Sequence, residues 1–168
     1  MVTMMLQRIV RHLLTTDRHV RRLFPRNALA AIERAIKDSE IAHDGEVRIA
    51  IEGSLEIHAL LRAQSARERA SELFSQLRVW DTQHNNGLLI YLLLADRAVE
   101  IVADRGIDEK VGGGEWNAIC RQMEAAFKQS DFEGGAVAGI GSLTQHLVTH
   151  FPATRHSANE LPDVPVTL

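Results

Sequence analysis

The chain holds a single cysteine, Cys120, among its 168 residues. One thiol excludes an intramolecular disulfide and a cysteine zinc cage, and its place in a helix-like apolar pattern reads as a buried side chain. Long apolar runs are also missing. The longest, Leu88 to Ala95, falls well short of the ~20 residues that cross a bilayer as a helix, so no transmembrane helix is expected. Near the start, Arg8 and Arg11 interrupt the apolar stretch and no small-residue cleavage site follows. That argues against a secretory signal peptide and leaves a cytoplasmic location as the expectation. An excess of positive charge is absent as well, since 19 Lys+Arg stand against 22 Asp+Glu for a net charge of -3. With no global basic field to hold phosphates, nucleic acid is not an expected partner. No internal repeat is visible.

What is present suits one ordinary domain. The chain is 45% hydrophobic and 24% charged, and its length lies in the usual ~100–200 residue range. Its charge is unevenly placed. Residues 1–26 hold Arg8, Arg11, Arg18, Arg21, Arg22 and Arg26 against one acid, Asp17, a local excess of +5 that leaves −8 for the remainder. A basic amphipathic stretch of this kind can pack on its own acidic body, on a protein partner or on anionic lipid headgroups. Residues 1–24 are therefore read as a basic N-terminal helical segment, with peripheral association with a membrane or membrane complex among its expectations.

Apolar residues at 2, 5, 6, 9, 10, 13 and 14 recur at the spacing of one helical face and predict a helix over 2–14. Pro25 and Asn27 signal a second start, with Asn27 as the expected N-cap, and Leu29, Ile32, Ile36 and Ile41 carry this helix toward the His43-Asp44-Gly45 turn. Residues 46–52 read as a strand, and Leu55 to Leu77 as one long crossover helix. The apolar run over 87–95 reads as a central strand buried on both faces. Residues 98–103 follow after only Asp96-Arg97, too short a link for a parallel crossover, so they form its antiparallel hairpin partner. After Gly112-Gly113-Gly114, Trp116, Ile119, Cys120, Met123 and Phe127 mark a helix, and Gly134-Gly135 separates it from a last one running to Phe151. Residues 153–168, with Pro162 and Pro165 and little periodicity, read as a loose tail. This order implies an α/β layered domain with a small mixed sheet.

The topology groups residues that are distant in sequence. If strands 46–52 and 87–95 are parallel, their starts share one sheet end, and the hairpin returns the finish of 98–103 to it. That rim collects Glu40, His43, Asp44, Glu46, Asp81, His84, Asn85, Asn86, Asp104, Arg105 and Asp108, whereas the opposite edge has Glu52, Asp96 and Arg97. Oxygen-rich loops converging there suit a hard cation such as Ca²⁺ or Mg²⁺, while the two histidines suit zinc. Solvated strand ends and ordinary Asn-Gly turn chemistry would produce the same composition. Asp104-Arg105 reads either as an internal ion pair or as a place where the guanidinium meets a phosphate.

Other patterns carry less chemistry. Gly134, Gly135, Gly139 and Gly141 follow a helix and lack phosphate-loop spacing, so close helix packing accounts for them better. His146 and His150 have an i, i+4 spacing but no glutamate after His146, and read as surface histidines. Cys120 has only Arg121 as a basic neighbour and is not an expected nucleophile. Ser39, Ser54 and Ser142 have no triad-like context.

The segment from His84 to Pro152 resembles the TPM domain family, which includes the thylakoid acid phosphatase-like proteins. The matching residues are Asn86-Gly87 with the apolar strand, Asp96-Arg97 at the hairpin, and the block Glu100-Ile101-Val102-Ala103-Asp104-Arg105-Gly106-Ile107. Trp116, the helix through Met123 and Phe127, the Asp131-Phe132-Glu133-Gly134 turn and Phe151-Pro152 complete it. A weaker likeness in layout extends it over roughly residues 27–152. The resemblance implies a three-layer α/β/α fold in residues 25–152, with hard-cation binding at the acidic rim. Some members of that family are described as acid phosphatases, others as assembly or repair factors for membrane protein complexes. The family position before Asn-Gly is often acidic, and here it is Asn85, after His84.

Two functions follow as expectations. In one the protein is a binding or assembly accessory module, with Ca²⁺ or Mg²⁺ at the rim and the N-terminal helix docking on an unidentified protein partner. In the other it is a metal-dependent phosphomonoester hydrolase. There, a cation held by some of Glu46, Asp81, Asn86, Asp104 and Asp108 would polarise a phosphoryl oxygen or activate water, with Arg105 steadying the developing charge. The first is preferred, because no committed nucleophile or dense catalytic motif is present.

Overall fold

In a computed structural model that describes residues 2–154 and 158–168, a four-stranded mixed sheet separates two helical layers, its strands lying side by side in the order 98–103 (β3), 87–93 (β2), 46–52 (β1) and 166–167 (β4). β1 (Glu46–Glu52) and β2 (Gly87–Leu93) pair in parallel from Glu46↔Gly87 to Glu52↔Leu93, and β3 (Ala98–Ala103) returns antiparallel to β2. Every residue of β1 and β2 is buried, as a nearly continuous apolar run implies for strands covered on both faces. Strand alternation divides the core. Leu88, Ile90 and Leu92 face one cluster with Ile32, Ile36, Met123, Ile140 and Leu147, whereas Leu89, Tyr91 and Leu93 face another with Leu60, Ala70 and Leu73. The first layer contains α3 (Arg26–Glu40), α7 (Gly113–Lys128) and α8 (Phe132–His150), the second α4 (Ile57–Leu61) and α5 (Ala66–Gln76). The expected α/β architecture and the three central strands are present.

Local boundaries differ from the sequence reading for identifiable reasons. β2 ends at Leu93 rather than residue 95, yet Leu94 and Ala95 still donate to the carbonyls of Glu52 and Gly53, so the apolar run continues beside β1 while the chain turns. The long crossover helix is two helices. Ala63 takes φ 55 between them, and Ser65 restarts the chain with a capping box in which its hydroxyl accepts from Glu68 N and its own N–H donates to Glu68 Oε2. The N-cap of α3 is Pro25, not Asn27. A short helix α2 (Asp17–Leu23) completes the N-terminal helical segment beyond the predicted helix at 2–14, and another, α6 (Arg105–Val111), occupies a segment read as a connection.

The glycines act as packing positions. Gly134 and Gly135 lie inside α8, not before it, because Asp131 caps the helix by accepting from Gly134 N at 3.0 Å. A Cβ at Gly135 would come within 2.8 Å of Ala126 Cβ, and one at Gly139 would collide with Met123, so both let α8 approach α7 closely. Gly112 at φ 85 makes the break between α6 and α7, while Gly113 and Gly114 open α7.

The tail is not loose where it is described. Val166 and Thr167 form β4, parallel to Ala50 and Ile51 of β1, and Leu161 is buried in the second cluster. At the other end of the chain, α1 (Val2–Leu14) lies on this body through Arg8, Ile9 and His12. No helix among the described residues is long and apolar enough to cross a membrane.

Candidate functional site

Parallel pairing of β1 with β2 and the hairpin return of β3 do bring the rim together. Asp104 N donates to Gly87 O at 2.8 Å and Glu46 N to Asn86 O at 3.0 Å, so Asp104, Asn86 and Glu46 mark three neighbouring strand ends. Gly87 is required at this place, since a Cβ there would collide with the Val79 carbonyl. The rim then divides into two hollows with different chemistry.

On the β1 side, a hollow of about 340 Å³ is lined by Lys37, Glu40, His43, Asp44, Glu46 and Asp163 among others. Most of its polar groups hold the chain together. Glu46 Oε2 accepts from the backbone N–H of Glu160 (3.1 Å) and Leu161 (3.0 Å), and Asp44 accepts from the N–H and hydroxyl of Thr154. The acids thereby fasten the C-terminal segment over the sheet. Glu40 accepts from Val47 N at 2.9 Å, and burial, with Glu46 and Asp163 nearby, pushes its carboxyl up to about 8. Burial also raises the Glu46 carboxyl. His43 accepts from Gly45 N on Nδ1 and lies 3.1 Å from Ser39 Oγ through Nε2, and burial lowers its pKa, so it is a neutral structural histidine. Arg48 and Asp163, which sequence reasoning did not select, are both buried here, and Arg48 Nε has no hydrogen-bond partner.

On the β3 side, an open cleft of about 700 Å³ is lined by Trp80, His84, Asn85, Asp104, Arg105 and Glu109 among others. Asp104 caps α6 by accepting from Arg105 N through Oδ1, whereas its buried Oδ2 has no partner. Asn86, which precedes β2 and donates through Nδ2 to the carbonyl of Asp44 in the first hollow, also has a buried Oδ1 without a partner. Asn85 takes φ 50 and directs its carbonyl oxygen to within 2.6 Å of where a Cβ on Gly106 would lie. Arg105 and His84 are exposed.

The other sequence candidates have separate employment. Asp81 is exposed and pairs with Arg78 at 2.6 Å, and Asp108 accepts from Trp116 Nε1 at 3.2 Å. Among the described residues, no three His, Cys, Asp or Glu side chains gather at metal-binding spacing. Of the five candidate ligands Glu46, Asp81, Asn86, Asp104 and Asp108, three stand at neighbouring strand ends, and only Asn86 and Asp104 retain an unengaged buried oxygen. Away from the rim, burial pushes the Cys120 thiol up to about 12, which keeps it protonated and unreactive. His146 lies 3.7 Å from Glu115 and edge-on to Trp116.

Asp163 was hidden because it lies in a stretch without periodicity, and Arg48 because a polar residue within a short strand gives no sign of what covers it. The alternation Val164-Pro165-Val166-Thr167 was the available clue to the first, since proline is tolerated on an edge strand.

Comparison with known proteins agrees with this architecture. No curated protein matches the chain. The BA42 protein from the psychrophilic bacterium Bizionia argentinensis, solved by NMR, is 30% identical, with a TM-score of 0.74 over 84% of this chain and 93% of that one. The N-terminal domain of a P. gingivalis protein shares the fold at 19% identity and a TM-score of 0.58, over 73% of this chain and 76% of that one. The TPM domain model matches residues 20–146, most of the described body and all of the rim's strand ends, and the chain belongs to the TPM domain family.

Proposed function

We propose that this TPM domain is a binding module that takes a hard divalent cation, Ca²⁺ in preference to Mg²⁺, at the β2–β3 end of its rim. The observation that carries the reading is the pair of buried oxygens without partners, Asn86 Oδ1 and Asp104 Oδ2, at adjacent strand ends. A buried acceptor left unpaired costs about 1–3 kcal/mol, and oxygen ligands are what hard cations take. Both groups are oxygens and one is a carboxylate, so the donor set fits Ca²⁺ better than zinc. Few protein ligands leave most positions to water, so binding is weak, on the order of 0.1–1 mM.

Titration of metal-stripped protein with Ca²⁺, Mg²⁺ and Zn²⁺, followed by backbone amide NMR, tests this. Saturable Ca²⁺ shifts at residues 85–87 and 104–106, weakened at least about tenfold in Asp104→Asn, are expected. Absence of shifts there, or shifts unchanged by the substitution, would remove the site. The hydrolase reading draws on the cleft that holds His84, Asp104 and Arg105. As a binding module the protein should leave a generic phosphomonoester unhydrolysed with the cation present. Turnover that disappears in Asp104→Asn would replace this proposal with catalysis.

A further inference from the structure

We infer that the outward face of α1, together with the arginines of α2, docks on an anionic lipid surface. The helix is mounted with Ile9 against the protein and the rest of its described apolar face turned away from it. Arg8 and the buried His12 face inward: Arg8 holds Asp96 at 2.7 Å and the Gln64 carbonyl, and His12 joins Asp96 at 3.0 Å to the Leu55 N–H. With these polar residues fixing the rotation of the helix, Leu6, Val10, Leu13 and Leu14, spaced i, i+4, i+7 and i+8 on one face, are left 60%, 47%, 65% and 67% exposed. α4, which packs beside α1, adds exposed Ile57 and Leu61. Apolar residues aligned on one helix and left uncovered mark an interaction surface rather than scattered surface hydrophobes.

Charge identifies the occupant. Two residues after α1, the chain enters α2, where Arg18, Arg21 and Arg22 are exposed, and Arg26 follows. Asp17 is the only acid in residues 1–26, and Asp96 is already held by Arg8, Arg11 and His12. Exposed leucines beside exposed arginines are the composition of a helix lying in the headgroup boundary of an anionic bilayer. A second copy would bring two +5 segments together, and a single convex helix face suits a deformable acyl boundary.

The test uses the full chain and flotation with phosphatidylcholine vesicles, with and without phosphatidylglycerol. The chain should float only with the anionic vesicles and be released by high salt. Leu13→Asp with Leu14→Asp, at exposed positions, should reduce partitioning at least about tenfold without changing the circular dichroism spectrum or Tm. Arg18→Gln with Arg21→Gln and Arg22→Gln should do the same while leaving the apolar face intact. Three outcomes would overturn the inference: no flotation, equal flotation with neutral vesicles, or a concentration-dependent dimer that the leucine substitutions abolish without any vesicle binding.

Discussion

The two ends of the central sheet are built from similar residues and settled in opposite ways. At the end where β1 and β2 finish, the two acids at the strand ends, Glu52 and Asp96, both have strong partners. Glu52 receives Arg69 through two nitrogens at 2.9 Å and the Tyr91 hydroxyl at 2.6 Å, and Asp96 receives Arg8 and His12. At the end where those strands begin, acids crowd acids, and Asn86 Oδ1, Asp104 Oδ2 and Arg48 Nε are buried without partners. The first end is a finished joint that locks α1 and α5 to the sheet. The second retains unsatisfied polar groups, the condition under which a fold has binding capacity to offer.

That contrast can be broken most severely at Glu52. Glu52→Ala leaves Arg69 with only Glu72 at 3.4 Å and the buried Tyr91 hydroxyl without its acceptor, and is expected to cost about 3–5 kcal/mol in urea unfolding. Asp96→Ala should cost less, about 1–3 kcal/mol, with the loss visible as faster hydrogen exchange in α1 and at Leu55 N–H. A global loss with α1 still protected would contradict the clamp.

The ends should also respond to pH in opposite directions. Burial opposes ionisation of Asp96, but the hydrogen bonds from Arg8 and His12 outweigh it and hold the carboxyl below its ordinary 3.8. Its folded pKa is depressed, so its contribution is present above the unfolded value and lost as pH falls below about 4. Glu40 is raised from 4.5 to about 8, chiefly by burial. Its folded pKa is elevated, so its contribution is complete below 4.5 and disappears as pH rises through 8. Glu40→Gln, which keeps an acceptor for Val47 N–H, should remove this alkaline loss, worth about 1–2 kcal/mol once partial exposure is allowed for. Thermal unfolding of both proteins from pH 5 to pH 9, on the order of the window those values define, would show parallel curves if the carboxyl were ordinary.

The smallest effect is expected from Arg48→Met. An apolar chain of similar length removes the unpaired, desolvated Nε together with the positive charge facing Asp163, which keeps its bond from Asn159, so the two effects offset and stability should stay within about 1 kcal/mol. A loss like that of Glu52→Ala would mean the two ends are equally well satisfied.

Much of this was readable beforehand, and the failures have causes. The continuous run Leu88–Ala95 and the two-residue link Asp96-Arg97 were sufficient to place a buried strand and its hairpin, because burial and chain reach leave few alternatives. The interruption between α4 and α5 was written in Ser65-Ala66-Arg67-Glu68 as a capping box, but apolar periodicity on both sides concealed it. The candidate site was legible only as a neighbourhood. Glu46, Asn86 and Asp104 were placed at one edge by strand direction alone, whereas which of their oxygens are engaged depends on Glu160, Leu161 and Asp44, contributed from other parts of the chain.

The sequence by itself determined three of the four strands, their buried character, the basic apolar pattern of α1 and the membership of the chain in its family, since these depend on local periodicity and on motifs a few residues long. Only the tertiary structure decided which face of α1 turns outward, which rim acids fasten the tail and which buried oxygens are left over. Those outcomes depend on pairings across up to 115 positions of sequence, where a hydrogen bond made by one residue withdraws an atom from every other partner.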